Sequence, residues 1–211
     1  QSGVTGKAEI AREVVGLQAF ADFVQAQGAD APFAVPKLLY HDDTTLITEY
    51  VDGVTPTLAQ VPDEFFVQSF VMMDKYFRLQ QRQPTRLSQP DANGNFYLKT
   101  LEKEALRAAA DSSTKALIHD ATHFLSENQH ILEARPMHAD FTENNLLYDG
   151  QKYWLIDFES FRDNWPRWYD VVNFTYNREM DFPHLSQRMQ KIRRDVIEHI
   201  GADPTTDPEI T

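Results

Sequence analysis

Residues 136–170, PMHADFTENNLLYDGQKYWLIDFESFRDNWPRWYD, decide how the rest of the chain is read. They hold His138-x-Asp140, an asparagine five positions further on at Asn145, and Ile156-Asp157-Phe158 at the end of an apolar run. Between Asn145 and Asp157 lies LLYDGQKYWLI, with strand formers on both sides of Asp149-Gly150. That dipeptide predicts a β-hairpin closed by a two-residue turn. Such a hairpin brings Asn145 and Asp157 to its open end, beside the loop that carries Asp140.

These residue types suit one kind of chemistry. A carboxylate within hydrogen-bond reach of a hydroxyl can orient it and accept its proton, and Asp140 is the candidate. Magnesium takes oxygen ligands and keeps several waters, so one carboxylate and one amide oxygen suffice beside phosphate oxygens, and Asp157 and Asn145 form such a pair. H-x-D with a following Asn is weak alone. The turn signal and the I-D-F at the right distance raise its weight against the bland alternative, a hairpin with surface acids.

The segment resembles the catalytic region of the aminoglycoside phosphotransferase family and its choline kinase-like relatives, on HADFTENNLL, IDFE and WYDVV. The resemblance implies an α+β, protein-kinase-like two-lobe fold. It implies ATP-dependent phosphorylation of a small-molecule hydroxyl, with ATP and Mg2+ as cofactors. Asp140 resembles the catalytic base, and Asn145 and Asp157 the metal ligands. Asp170 resembles the buried aspartate that braces the catalytic loop, and His138 the structural histidine of that loop. Ala139 stands where the family usually has Gly. Glu159 in IDFE, the lack of A-P-E and the short interval from Phe158 to Tyr169 disfavour a protein kinase.

Earlier segments fit the same plan. KAEIAREVVGLQAFADFVQAQG has Ile10, Val14, Leu17 and Phe20/Ala21 at helical spacing, with Gly28 placed to end the helix. By resemblance it is the helix whose glutamate, here Glu13, pairs with a phosphate-binding lysine. KLLYHDDTTLITEYVDG predicts two short strands around a turn at 41–44. The resemblance makes 48–51 the inter-lobe hinge, with the backbone of Glu49 and Val51 facing the adenine edge. Residues 1–51 are then a partial N-lobe and 52–211 a helical C-lobe with the catalytic loop and metal-binding hairpin. Only residues 1–6 precede the first helix, and QSGVTGK resembles the turn after a lysine-bearing strand. The family's Gly-containing loop and that strand are therefore expected to lie outside this sequence. The alternative is a catalytically inactive kinase-like binding module.

In the C-terminal part, VPDEFFVQSFVMMDKYFRLQQ opens on good first-turn residues and puts Phe66, Phe70, Met73 and Phe77 on one stripe. QPTRLSQPDANGN is expected to be a flexible loop, with Asp111-Ser112-Ser113 capping a helix through Leu117, Ala121, Phe124 and Leu125. His119 and His123, at i and i+4, lack a third zinc ligand and fit a solvated face better. Trp165, Trp168, Tyr169, Phe174 and Tyr176 fit core packing, with cation–π capture of a quaternary ammonium as the alternative. HLSQRMQKIRRDVIEHIG predicts an amphipathic helix with Leu185, Met189, Ile192 and Val196 on one face, and DPTTDPEIT a frayed tail.

The 211 residues, 42% hydrophobic, can bury a core. The lack of cysteine excludes disulfides and thiolate metal sites and is compatible with the cytoplasm. No apolar run approaches a transmembrane length. A formal charge of −12 argues against nucleic acid as a partner and is compatible with a cationic acceptor such as an amino sugar, aminoglycoside or choline-like alcohol.

Overall fold

The first helix, α1 (Gly3–Gln27), buries Val14, Leu17 and Phe20 as its apolar spacing predicts, adds Phe23 to that face, and leaves Ile10 half-buried and Ala21 exposed. Gly28 follows at φ +60°, a left-handed conformation that glycine adopts at no steric cost, and a 3-10 turn ends the helix there. The structure is a computed structural model that describes residues 3–80, 85–86, 99 and 112–201. Residues 3–6 are already helical, where the sequence led us to expect a turn: no proline interrupts them, and the helix simply extends backward.

Strand β1 (Phe33–Ala34) pairs in parallel with β7 (Tyr153–Leu155), which pairs antiparallel with β6 (Leu146–Tyr148). Strands β2 (Leu38–His41) and β3 (Leu46–Thr48) form a separate antiparallel hairpin, the two short strands expected around the turn. A third sheet places β5 (Glu133–Met137) between β4 (Thr85–Arg86) and β8 (Arg162–Pro166). One of these strands runs against the sequence expectation, since Thr85–Arg86 lies in the segment expected to be loop, and Arg162–Pro166, which carries Trp165, is not foreseen as a strand; each becomes one by finding β5 as an edge to pair with. The rest of that loop, the Asp111 cap and the tail from 203 onward lie outside the described residues.

The turn between β6 and β7 also differs from expectation. Tyr148 pairs with Tyr153, so the connection spans 149–152 rather than two residues. The Asp149 side chain explains it by accepting hydrogen bonds from the Gln151 and Lys152 N–H groups at 2.8 and 2.9 Å, with Gly150 at φ +94°.

Helix α2 (Asp63–Gln80) buries Phe66, Phe70, Met73 and Phe77 as expected. Helix α3 (Ser112–Asn128) forms as expected, leaves Phe124 about half exposed, and exposes His119 and His123. Helices α4 (Tyr169–Asp181) and α5 (Ser186–Ile200) are the last among the described residues, α5 burying Met189, Ile192 and Val196 fully. Arg188 of α5 reaches the start of α2, donating to Asp63 Oδ1 at 2.6 Å and to the Leu58 and Val61 carbonyls.

One apolar cluster runs from Leu17 and Phe20 of α1 through Phe66 and Phe77 to Phe158, Met189 and Val196. Phe20 sits inside it against the rings of Phe33, Phe77, His138, Phe158 and Phe161. Each such buried phenylalanine contributes roughly 1.5–3 kcal/mol by removal from water. The cluster seats α1 directly on the segment that carries Asp157. Gly16 permits the approach: a Cβ there would lie 2.8 Å from Phe161 Cβ and 2.9 Å from Phe158 Cβ. Gly16→Ala is therefore expected to lower stability by about 1–3 kcal/mol despite its gain in helix propensity. A denaturant melt showing the variant as stable as the parent would refute this close contact.

Candidate active site

β5 ends at Met137, and the chain then bends sharply through His138, Ala139 and Asp140. Ala139 adopts φ +65°, where an L side chain costs roughly 1–2 kcal/mol. The bend is held from α4. The Asp170 carboxylate accepts the His138 N–H at 3.0 Å and the Ala139 N–H at 2.8 Å, one on each oxygen. Burial pushes the Asp170 carboxyl up to about 7, against the two N–H bonds that favour its charged form. The left-handed φ gives the family's usual glycine at position 139 its physical reason, and shows that alanine is accommodated here at a cost in strain.

His138 is fully buried, and burial lowers its pKa to about 4, so the ring is neutral near pH 7. Its Nε2 lies 3.1 Å from the Ile156 carbonyl; a carbonyl only accepts, so Nε2 carries the proton. The same ring thus links the Asp140 loop to the residue before Asp157.

After Asp140 the chain buries Phe141 in the core and enters a 3-10 turn, Glu143–Asn145, closed by the Asn145 N–H on the Thr142 carbonyl at 3.1 Å. Asn145 Nδ2 donates to Asp140 Oδ2 at 2.9 Å and to the Asp140 carbonyl at 2.8 Å. Both partners are acceptors, so the amide nitrogen faces Asp140 and Oδ1 points away, unused among the described residues. The Ile156 N–H donates to the Asn145 carbonyl at 3.0 Å, which zips the hairpin's open end and sets Asn145 beside the Ile156-Asp157 step. Asp157, at φ +63°, is exposed and makes no hydrogen bond among the described residues. Aspartate tolerates that conformation better than most residues.

The electrostatics tie these groups together. The Asp140 carboxyl is raised above its ordinary value, first by burial and also by the Asp157 charge, while the Asn145 hydrogen bond and the Arg178 guanidinium pull it down. Glu13 on α1 is raised by burial, then by Asp157 and Glu159. Asp140, Asn145, Asp157 and Glu13 are therefore one neighbourhood. Glu49 and Val51 lie on the segment that leaves β3. The Glu49 N–H is committed to the Lys37 carbonyl at 2.8 Å, which leaves its carbonyl as the group able to meet a ligand. The following segment returns to the hairpin, where Val54 and Tyr148 exchange backbone hydrogen bonds at 2.8 and 3.1 Å.

A family model described as the phosphotransferase enzyme family matches residues 7–195. The chain belongs to this family. Among solved structures it is similar to a choline/ethanolamine kinase family protein from Mesorhizobium loti at 16% identity, covering 92% of this chain and 61% of that one, with a TM-score of 0.54. It is similar to a Streptococcus pneumoniae choline kinase at 14% identity, covering 93% and 65%, with a TM-score of 0.52. A Plasmodium vivax ethanolamine kinase matches at 13% identity over 90% and 57%, with a TM-score of 0.54. The chain thus spans 57 to 65% of the length of these structures, and the likeness identifies the fold as protein-kinase-like α+β. No curated protein matches the sequence.

Within this family framework the aromatic residues divide, with Trp168 and Phe174 buried, Trp165 and Tyr169 half-buried and Tyr176 exposed. Trp168 is 4% exposed with the Arg167 guanidinium 4.8 Å from its ring centroid, and Trp165 carries Arg162 at 5.4 Å. Those two rings already hold cations of this chain. Four residues that touch the site escaped the sequence: Arg12, whose Nε donates to the Glu159 carbonyl at 2.8 Å, Gly16, Glu143 and Arg178. Only Gly16 left a signal, being a glycine inside a helical pattern.

Asp170 yields a pH prediction. Its folded pKa of about 7 lies above the unfolded 3.8. Between those values the folded protein holds a proton that the unfolded chain has lost, so this group's stabilisation is complete below the window and is lost as pH rises through it. Asp170→Asn removes that titration. The parent's stability should accordingly fall relative to the variant's as pH rises from about 4 to about 7, in denaturant melts. Parallel curves would show that Asp170 is ionised throughout.

Proposed function

We propose that this chain transfers the γ-phosphoryl group of ATP to a hydroxyl of a small molecule. The observation that carries the reading is the Asn145 amide. By donating to Asp140 it orients the proton acceptor, and its own Oδ1 keeps no hydrogen-bond partner among the described residues. In the mechanism, Asp140 orients the acceptor hydroxyl and takes its proton as the new oxygen–phosphorus bond forms and the bond to the ADP oxygen breaks. The raised Asp140 carboxyl suits that task, since burial and Asp157 make it more basic than an ordinary aspartate.

A resident Mg2+ fits the donor set, which offers one amide oxygen and one exposed carboxylate and no sulfur or imidazole. Asn145 and Asp157 would hold it. What the cation supplies when bound is neutralisation of charge on the phosphate oxygens. Glu13 lies on the same side and belongs to the nucleotide end of the site. The Glu49 carbonyl and the Val51 backbone are proposed for the adenine edge, with 1–51 and 52–211 as the lobes on either side of the nucleotide.

For the acceptor we propose a small alcohol of neutral or cationic character, supported by the formal charge of −12 and by fold relatives named as choline and ethanolamine kinases. Trp165 and Trp168 have no part in gripping it. Among the described residues no helix is long and apolar enough to cross a membrane. A cytoplasmic setting, where ATP is abundant, completes the proposal.

Calorimetric titration with ATP, with and without magnesium, tests the reading. Asp157→Ala is expected to abolish the magnesium-dependent binding. Asp140→Asn is expected to keep it while lowering turnover by roughly 10²–10⁴-fold, the usual contribution of a positioned base. Full turnover in Asp140→Asn would remove Asp140 from its role, and ATP binding indifferent to both magnesium and Asp157 would favour an inactive binding module.

A further inference from the structure

Helix α4 meets the catalytic loop twice. In its first turn Asp170 holds the His138 and Ala139 N–H groups. Two turns further on, Arg178 Nε donates to Glu143 Oε2 at 3.0 Å. Both side chains are nearly withdrawn from water, at 11% and 10% exposed. Glu143 opens the 3-10 turn that ends at Asn145, so whatever holds Glu143 holds the turn that aims the Asn145 amide at Asp140.

Resting on the roles proposed above for Asp140 and Asn145, we propose that Arg178 is a positioning residue which, through Glu143, fixes the 143–145 turn and thereby the Asn145–Asp140 hydrogen bond. The energetics give the pair a reason to persist. A buried carboxylate that loses its partner is costly, whereas a well-packed apolar pair would serve mere adhesion equally well. Arg178 comes from an element 35 positions away in sequence and approaches along the same helix that already braces the loop's other end. The two contacts lie eight residues apart on α4, about 12 Å at the helical rise, so one rigid element spaces the two ends of the loop. Arg178 also has Asp181 within 3.7 Å, but that carboxylate is 61% exposed and contributes little to the hold.

Hydrogen exchange of the whole chain, read on peptides covering 138–146, tests the proposal without substrate. Arg178→Ala should raise exchange at Asn145 and Leu146 by about tenfold or more, as expected for local release of a charge-assisted hydrogen bond, and leave the Asp170-held amides of His138 and Ala139 unchanged. Arg178→Lys, which keeps a donor for Glu143, should restore most of the protection. Should Arg178→Ala fold poorly, Glu143→Gln, which keeps an amide oxygen to accept the Arg178 N–H, should show the same local pattern in weaker form. Magnesium-dependent ATP hydrolysis, with water as acceptor, should fall with the exchange and recover in the lysine variant. Unchanged exchange at Asn145 would overturn the inference. So would an increase spread evenly over the chain, because that is the mark of global destabilisation. Because exchange needs no nucleotide, the inference can fail while Asp140 keeps its role, and absent ATP binding by the parent would strike the functional proposal alone.

Discussion

The Asp170 carboxylate is the constraint on which the candidate site depends. Two consecutive N–H groups, those of His138 and Ala139, point at one carboxylate only if the chain bends through a left-handed residue between β5 and Asp140. The strain at Ala139 and the burial of Asp170 are both costs, and the two N–H hydrogen bonds offset them. Once the bend is set, His138 turns its ring onto the Ile156 carbonyl, and the loop carrying Asp140 becomes joined to the strand that ends at Asp157. Three backbone segments distant in sequence are thereby held by one helix terminus and one neutral imidazole.

Around that constraint the core supplies rigidity. Phe20 of α1 packs on His138 and Phe158 at ring-centroid distances of 6.0 and 5.2 Å, so the helix bearing Glu13 rests on the same residues that shape the site. Arg12 adds a polar tie to the Glu159 carbonyl, and Gly16 removes the Cβ that would hold the helix off. The result concentrates Glu13, Asp140, Asp157 and Glu159 in one region. Like charges raise one another's proton affinity there, which is the field a cation with phosphates would relieve.

Partly buried arginines organise the remaining helical half. Arg167 clamps Asp74 of α2 through two hydrogen bonds of 2.7 and 2.9 Å, Arg188 holds Asp63, and Arg178 holds Glu143. Each joins elements far apart in sequence, and the two-pronged grip of Arg167 on Asp74 is a planar geometry that a lysine would not reproduce. An acidic chain with few cations thus uses several of its arginines internally.

Much of this was legible in residue order. Helical spacing in α1, α2 and α5 revealed their buried faces, because a period near 3.6 puts apolar residues on one stripe. The strand formers around Asp149-Gly150 indicated a hairpin, and the hairpin brings Asn145 and Asp157 together whatever surrounds it. Other features were not legible. The strands at Thr85–Arg86 and Arg162–Pro166 exist because β5 offers edges, which no local propensity records. The turn length at 149–152 was decided by the Asp149 side chain, and the Arg178–Glu143 pair by the path of α4 over the loop. The sequence by itself determined the periodicities, the turn-prone sites and the set of oxygen-bearing residues, since these are properties of neighbours along the chain. The tertiary structure alone decided which carboxylates meet which donors and which are raised by burial, because those depend on what packs across the fold.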